Sequence, residues 1–191
     1  LGVIYIVESG DTISDISDLK GKTIYASGKG ATPEYALNYI LTQNNIDPET
    51  EVTIEWKSEH AECLSALMAN ENAIAMLPQP FVTTAQTKSE KIRVALDLTE
   101  EWEKLGVDSA LLTGVVVARK EFVEQNPAAV QAFLEHYEIS VNNVNKNIKD
   151  AATLIEKYDI VPAPVAVKAV PNCNIVFITG EEMKQKLSGY L

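Results

Sequence analysis

The sequence predicts an α/β fold built on a largely parallel sheet, and three observations predict it. Between Gly21 and Leu98, short β-branched runs alternate with segments whose apolar residues recur at spacings of three and four. One run, Ala73-Ile74-Ala75-Met76-Leu77, is apolar without a break, as expected of a strand covered on both faces. The stretch Ser27-Gly28-Lys29-Gly30-Ala31-Thr32-Pro33 reads as strand end, glycine turn and helix start in succession. Strand and helix in alternation imply parallel strands joined by right-handed crossovers.

Taken in order, Gly2 to Val7 is a first β-like run, and Thr23 to Ser27 is the next. A helix follows from Pro33 to about Asn44. Thr32 is its expected N-cap, since its hydroxyl accepts from a free N–H of the first turn. Pro33 fits position N1, where a missing N–H costs nothing. The helix stops at an Asn-Asn-Ile-Asp-Pro break. Val52 to Trp56 alternates as a strand, and Ser58 is placed to cap a helix with Ala61, Leu64, Leu67 and Met68 on one side. Pro78-Gln79-Pro80 ends the apolar run at 73–77; Phe81 to Lys88 then reads as a short helix and Ile92 to Leu96 as a strand. Leu112 to Ala118 is apolar and β-rich and reads as another strand. Beyond it the chain turns helical. Asn126 and Pro127 repeat the cap-plus-proline device, and Val130, Phe133, Leu134, Tyr137, Val141 and Val144 mark the inward face of a long helix. Helices over Asp150 to Tyr158 and Gly180 to Leu191 complete the chain.

In a parallel sheet the ligand-facing loops lie at the C-terminal ends of the strands. Three joints qualify: Ser27 to Thr32, Lys57 to His60, and Pro78 to Phe81. Gly28 and Gly30 let the backbone turn tightly and let a ligand approach it, and a helix start beside them offers N–H groups to an anion or polar group. His60 is either a donor to a polar ligand or a solvated first-turn residue. Thr113 either meets a ligand from a strand crossing between lobes or is an ordinary strand residue. Glu100, Glu101 and Glu103 have the composition for acid–base work, but beside Trp102 and Lys104 they read as a solvated helix face. His136 falls off the apolar stripe of its helix.

Composition narrows the function. The 191 residues are 46% hydrophobic and 23% charged, a globular balance sufficient for one large domain or two small ones. A net charge of −11 speaks against nucleic acid or an anionic membrane as main partner. No apolar run approaches the roughly 20 residues of a membrane helix. Cys63 and Cys173 are either a distant pair or two small buried apolar residues, and no spacing suggests zinc. Gly21-Lys22-Thr23 is not the end of a phosphate loop, because Ile16 stands where its first glycine belongs and a strand follows instead of preceding it. Gly28 and Gly30 lack the third glycine of a dinucleotide fingerprint. The start Leu-Gly-Val, without Met or a signal peptide, implies a piece of a longer protein whose missing part lies upstream.

These pieces, in this order, resemble solute-binding proteins of ABC importers, in the nitrate/sulfonate/taurine/thiamine-precursor group. The resemblance rests on Asp18 to Ile24, Gly28 to Pro33, Ser58 to Glu62, Leu77 to Val82, Thr113 to Val117 and Pro171 to Phe177. It implies a type II periplasmic-binding-protein architecture of two lobes with a hinge of two crossing strands. Residues 21–109 would be a complete α/β lobe; residues 1–20 and 110–191 would belong to the other, which lacks its N-terminal βα units. The ligand residues implied are Ser27, Gly30, Ala31, Thr32, His60, Gln79 and Thr113, with the loop at Gly30 to Thr32 holding an anionic head group. Gln79 departs from the acidic residue common in relatives, which disfavours a cationic ligand group. The expected function is capture of a small polar or anionic solute (sulfonate, nitrate or pyrimidine precursor) and its delivery to a membrane permease. No catalysis, cofactor, metal or nucleic acid is expected. The protein would be a monomer, peripheral to the membrane at the extracellular face or in the periplasm, with a lipid anchor among the expectations. The alternatives are the effector domain of a LysR-type regulator, which needs an upstream helix-turn-helix, and a thiamine-pyrimidine biosynthesis enzyme, which needs a cysteine-rich stretch.

Overall fold

The β-branched runs become strands where alternate residues find helices on both sides. In the computed structural model, which describes residues 1–190, strands β1 (Ile4–Ser9), β2 (Thr23–Ser27), β3 (Thr53–Lys57), β4 (Ile74–Pro78) and β5 (Ile92–Asp97) form one sheet in the order β3-β2-β4-β1-β5. β2 runs parallel to both β3 and β4, whereas β1 is antiparallel to β4 and β5. The sheet is therefore mixed, with one reversed strand inside it. Residues 1–20, expected to belong with 110–191, thus supply an inner strand of the sheet that holds β2 to β5. They also supply a 3-10 turn, Ile16–Leu19, whose Ile16 and Leu19 are buried in the core.

Period-two alternation divides the sheet's side chains between two cores. Ile4, Ile6, Ile24, Ile74 and Met76 face helices α1 (Thr32–Gln43) and α4 (Leu98–Lys104), meeting Leu37, Ile40, Leu41 and Trp102. Tyr5, Val7, Ala75 and Leu77 face α2 (His60–Ala69) and α3 (Phe81–Lys88), meeting Cys63, Leu67 and Val82. β4 is buried on both faces, as its unbroken apolar run requires. The buried stripe of α2 is Cys63, Leu64 and Leu67; Ala61 and Met68 are exposed, so the helix is turned toward Cys63 relative to the expected face.

Two helix starts differ from expectation. α1 is capped by Ala31, which offers no side-chain acceptor, and Thr32 and Pro33 are its first two helical residues. α2 is capped by Glu59, not Ser58, in a reciprocal capping box with Glu62. Glu62 also accepts from the Ser58 N–H at 2.9 Å, leaving Ser58 as a donor at this end. In α4, Glu101 and Trp102 are buried against expectation; Glu101 is paired with Lys104 at 2.6 Å, and the indole N–H donates to Ser109 Oγ at 3.0 Å.

Leu112 to Ala118 is not a strand. It has the composition of one, but no strand lies beside it among the described residues, and a strand needs a partner for its backbone groups. Val115, Val116 and Val117 are exposed. Helices α5 (Lys120–Gln125), α6 (Pro127–Lys146), α7 (Ile148–Lys157), α8 (Ala163–Ala169) and α9 (Gly180–Tyr190) follow. α5 and α8 are short and were not legible in the sequence. Asn126 and Pro127 do begin α6, although the Asn126 side chain makes no cap bond. Only Val141 of its expected face is buried, while Phe133 is exposed and stacks on Tyr137 at 5.6 Å. Helix α8 packs on α3, and Tyr190 of α9 lies 5.5 Å from the Trp102 ring, so the helical part closes against the sheet lobe at two places. The end of the expected last helix, Leu191, lies outside the described residues.

One polar cluster stabilises the lobe. Glu8, fully buried at the end of β1, accepts from the Thr12 N–H at 2.8 Å, the Thr12 hydroxyl at 2.5 Å and the Ile13 N–H at 3.1 Å. Arg93 of β5 donates to it at 2.9 Å and to the Gly10 carbonyl at 3.1 Å. Burial pushes the Glu8 carboxyl up, but the Thr12 and Ile13 hydrogen bonds with the Arg93 charge outweigh it and hold the group below its usual value.

Candidate functional site

The C-terminal ends of β2, β3 and β4 lie along one rim of the sheet because these strands run in the same direction. A cavity of about 140 Å³ sits there. Its walls include Ser27, Thr32 and Pro33 from the first joint, His60 from the second and Pro78 from the third; Val3, Ile4 and Met76 add apolar surface, and Thr113 completes it. All three expected joints therefore contribute to one hollow. No charged side chain is among these wall residues.

The turn that feeds the cavity has the backbone its glycines permit. Gly28 and Gly30 have φ of +85° and +77°, in the left-handed region. A Cβ on Gly28 would come within 2.9 Å of the Pro33 ring, so this position also needs glycine for space. Two of the turn's amides are occupied. The Ala31 N–H donates to the Gly28 carbonyl at 3.1 Å, and the Gly30 N–H donates to the Glu34 carboxylate at 2.5 Å. The protein's own acid thus occupies part of the expected anion cradle. Gly30 and Ala31 are not wall residues, whereas Thr32 is.

His60 opens α2 at the rim. Its Nδ1 lies 2.5 Å from Ser27 Oγ, and its ring lies 5.0 Å from that of Phe81. Burial, partly opposed by the charge of Glu59, holds the imidazole below its ordinary pKa, so the neutral ring is the form present near neutrality. Ser27 is buried at 3% exposure. Behind it Cys63 is buried; desolvation pushes the thiol up.

Gln79 is not a wall residue. Its side-chain oxygen accepts from the Thr83 hydroxyl at 2.8 Å and from the Thr83 N–H at 3.3 Å, so it serves the first turn of α3. Thr113 reaches the cavity without the expected strand: its hydroxyl donates to the Leu1 carbonyl at 2.8 Å, which holds the segment at the rim. Val3, Ile4 and Met76 went unforeseen, since nothing in an apolar run tells which end faces a cavity. Both cysteines are free. No group of three or more His, Cys, Asp or Glu suited to a metal occurs among the described residues, and no helix is long and apolar enough to cross a membrane.

A family model described as NMT1/THI5 like matches residues 1–151. No curated protein matches the sequence. Three of the solved structures similar in fold are these. The periplasmic aliphatic sulphonate binding protein SsuA from Escherichia coli is 18% identical, with a TM-score of 0.75 over 98% of this chain and 62% of that one. An ABC transporter structure from Parabacteroides distasonis is 22% identical, with a TM-score of 0.76 over 99% and 62%. The alkanesulfonate-binding protein SsuA from Xanthomonas axonopodis pv. citri, bound to MOPS, is 17% identical, with a TM-score of 0.67 over 97% and 61%. The chain therefore spans about three fifths of the length of these relatives.

Proposed function

Since the chain belongs to the NMT1/THI5 like family, we propose that it is the solute-gripping part of an ABC importer's binding protein, working outside the cytoplasm and delivering its solute to a permease. The supporting observation is the cavity at the rim, to which all three strand-to-helix joints contribute. It holds about one six-membered ring, since an engineered cavity of ~150 Å³ binds benzene. Hydroxyls of Ser27, Thr32 and Thr113 and the His60 imidazole give direction, while Val3, Ile4, Met76 and the two prolines give apolar surface. In the whole protein a second lobe closes over this rim. The solute shifts the open–closed equilibrium only by the difference in its affinity for the two states.

Of the three solute classes expected, the uncharged ring of a pyrimidine precursor fits best. Glu34 already occupies the Gly30 amide, and no basic side chain lines the hollow to balance a sulfonate or nitrate. The site binds and releases; nothing in it calls for bond breaking.

The test is a thermal-shift panel on the full-length protein with pyrimidines, ethanesulfonate, nitrate and small carboxylates. A pyrimidine present at a hundred times its Kd is expected to add about 2.7 kcal/mol of stability. A rise in Tm with the anions alone overturns the uncharged-ligand assignment. No rise with any of the four overturns the solute-capture reading.

A further inference from the structure

The pair Ser27 and His60 does more than line the cavity. We infer that Ser27 fixes the ring of His60 as an Nε2–H donor, so that the site takes a solute presenting an uncharged hydrogen-bond acceptor and turns away one presenting only donors or a cation. This rests on the reading of the cavity as a solute site and specifies the chemistry of its polar end.

The derivation starts from the partners each atom has. Ser27 Oγ, with Ser27 almost wholly buried, lies 2.5 Å from His60 Nδ1. Two arrangements satisfy that distance: the hydroxyl donates to a bare Nδ1, or a protonated Nδ1 donates to the hydroxyl. In the second, the buried Ser27 hydroxyl must place its proton elsewhere, and it has no other hydrogen-bond partner among the described residues. In the first, Ser27 donates to Nδ1 and its proton has a strong acceptor. Burial keeps the thiol protonated and the imidazole neutral, which removes the doubly protonated ring and the thiolate from consideration near pH 7. The first arrangement follows, and in a neutral ring a bare Nδ1 places the proton on Nε2.

Nε2 has no hydrogen-bond partner among the described residues, while His60 is a wall residue of the cavity. Its N–H is thus the directed donor of an otherwise hydroxyl-lined hollow. The Ser27 and Thr113 hydroxyls have their protons on His60 and the Leu1 carbonyl, and the Thr32 hydroxyl can turn either way; an Nε2–H held by a buried serine only donates. A solute meeting it with an N–H or a cation leaves two donors facing each other in a poorly solvated place, and an unmade buried bond costs more than a made one gains. His60 here touches solute; Ser27 acts through it as a positioning residue.

The experiment reads the ring directly. ¹⁵N-labelled protein carrying His136→Gln has His60 as its one imidazole, and His136 is exposed on α6. At pH 7.5 the nitrogen spectrum is expected to show an unprotonated Nδ1 and a protonated Nε2. Cys63→Ala retains that pattern, whereas Ser27→Ala moves both nitrogens toward averaged positions. A protonated Nδ1 in the parent, or a Ser27→Ala spectrum identical to the parent's, overturns the assignment. Should Ser27→Ala fail to fold, the parent spectrum alone decides. As a second readout, the Kd for pyrimidine, a ring with acceptors and no N–H, is expected to rise about tenfold in Ser27→Ala. An unchanged Kd overturns the positioning role. The expected tautomer with no pyrimidine binding in the parent supports the ring assignment and counts against the pyrimidine reading.

Discussion

At the scale of residues, the informative groups are those whose partners are far away in sequence. Glu8 and Arg93 are 85 positions apart, and their pairing closes the 10–13 turn onto the sheet. Glu8→Gln keeps the shape but removes the charge that Arg93 and the Thr12 and Ile13 amides address. We expect a loss of about 1–3 kcal/mol in urea denaturation. The sign with pH follows from the depressed carboxyl. Its stabilisation is fully present above the ordinary value of 4.5 and is lost as the pH falls through the lower folded value. Acid titrations should therefore show a shallower loss of stability for Glu8→Gln than for the parent. Ser27, Thr32 and His60 were legible in the sequence because each stands at a strand-to-helix joint. The Ser27–His60 bond was not, since 33 residues separate the two. Gly30 and Gln79 already have partners in this structure, for a local reason. A side chain four positions on, or a backbone and hydroxyl four positions on, occupies the group that was to meet a ligand. Sequence shows which atoms can bond; it does not show which are already bonded.

At the scale of elements, periodicity located β2 and α3 to the residue and most others to within one or two. Helix starts were less legible. A residue with the right chemistry, such as Thr32 or Ser58, sits one place from the one whose backbone takes the cap conformation. Ala31, extended at φ −134° and ψ −179°, caps α1 with no acceptor. Ala31→Ser supplies one without changing the backbone and is expected to stabilise the protein by about 0.5–1 kcal/mol in thermal denaturation. A neutral or negative change would mean that the first-turn amides are already satisfied. Leu112 to Ala118 failed for a different reason: β propensity describes the fit of a side chain to a sheet, and a run of valines has no register until another strand lies beside it. The same reasoning explains α6. Its apolar stripe is present as expected, yet Phe133 is exposed and only Val141 is buried, because burial belongs to a pair of surfaces and not to one helix.

At the scale of the whole molecule, the sheet and the helical segment are joined by α8 on α3, by Tyr190 on Trp102 and by a few polar ties near the first residues. The Leu1 nitrogen donates to the Asn174 carbonyl at 2.9 Å, and Asn174 Nδ2 returns a bond to the Gly2 carbonyl at 2.6 Å. Asn174 adopts φ of +47°, a conformation that asparagine tolerates better than most residues. Asn174→Ala removes the side-chain bond and adds backbone strain, and a loss of about 1–2 kcal/mol in urea denaturation is expected. A change within a few tenths would show that the tie carries no net stability. The α/β class and the three-joint rim were visible from alternation alone; the reversal of β1 was not, because a strand's direction depends on neighbours that its own residues do not encode. That reversal has a mechanical corollary. It brings Val3 and Ile4 to the same lip as Ser27 and Pro78, so one wall of the cavity is the very peptide by which the sheet is tethered to Thr113 and Asn174.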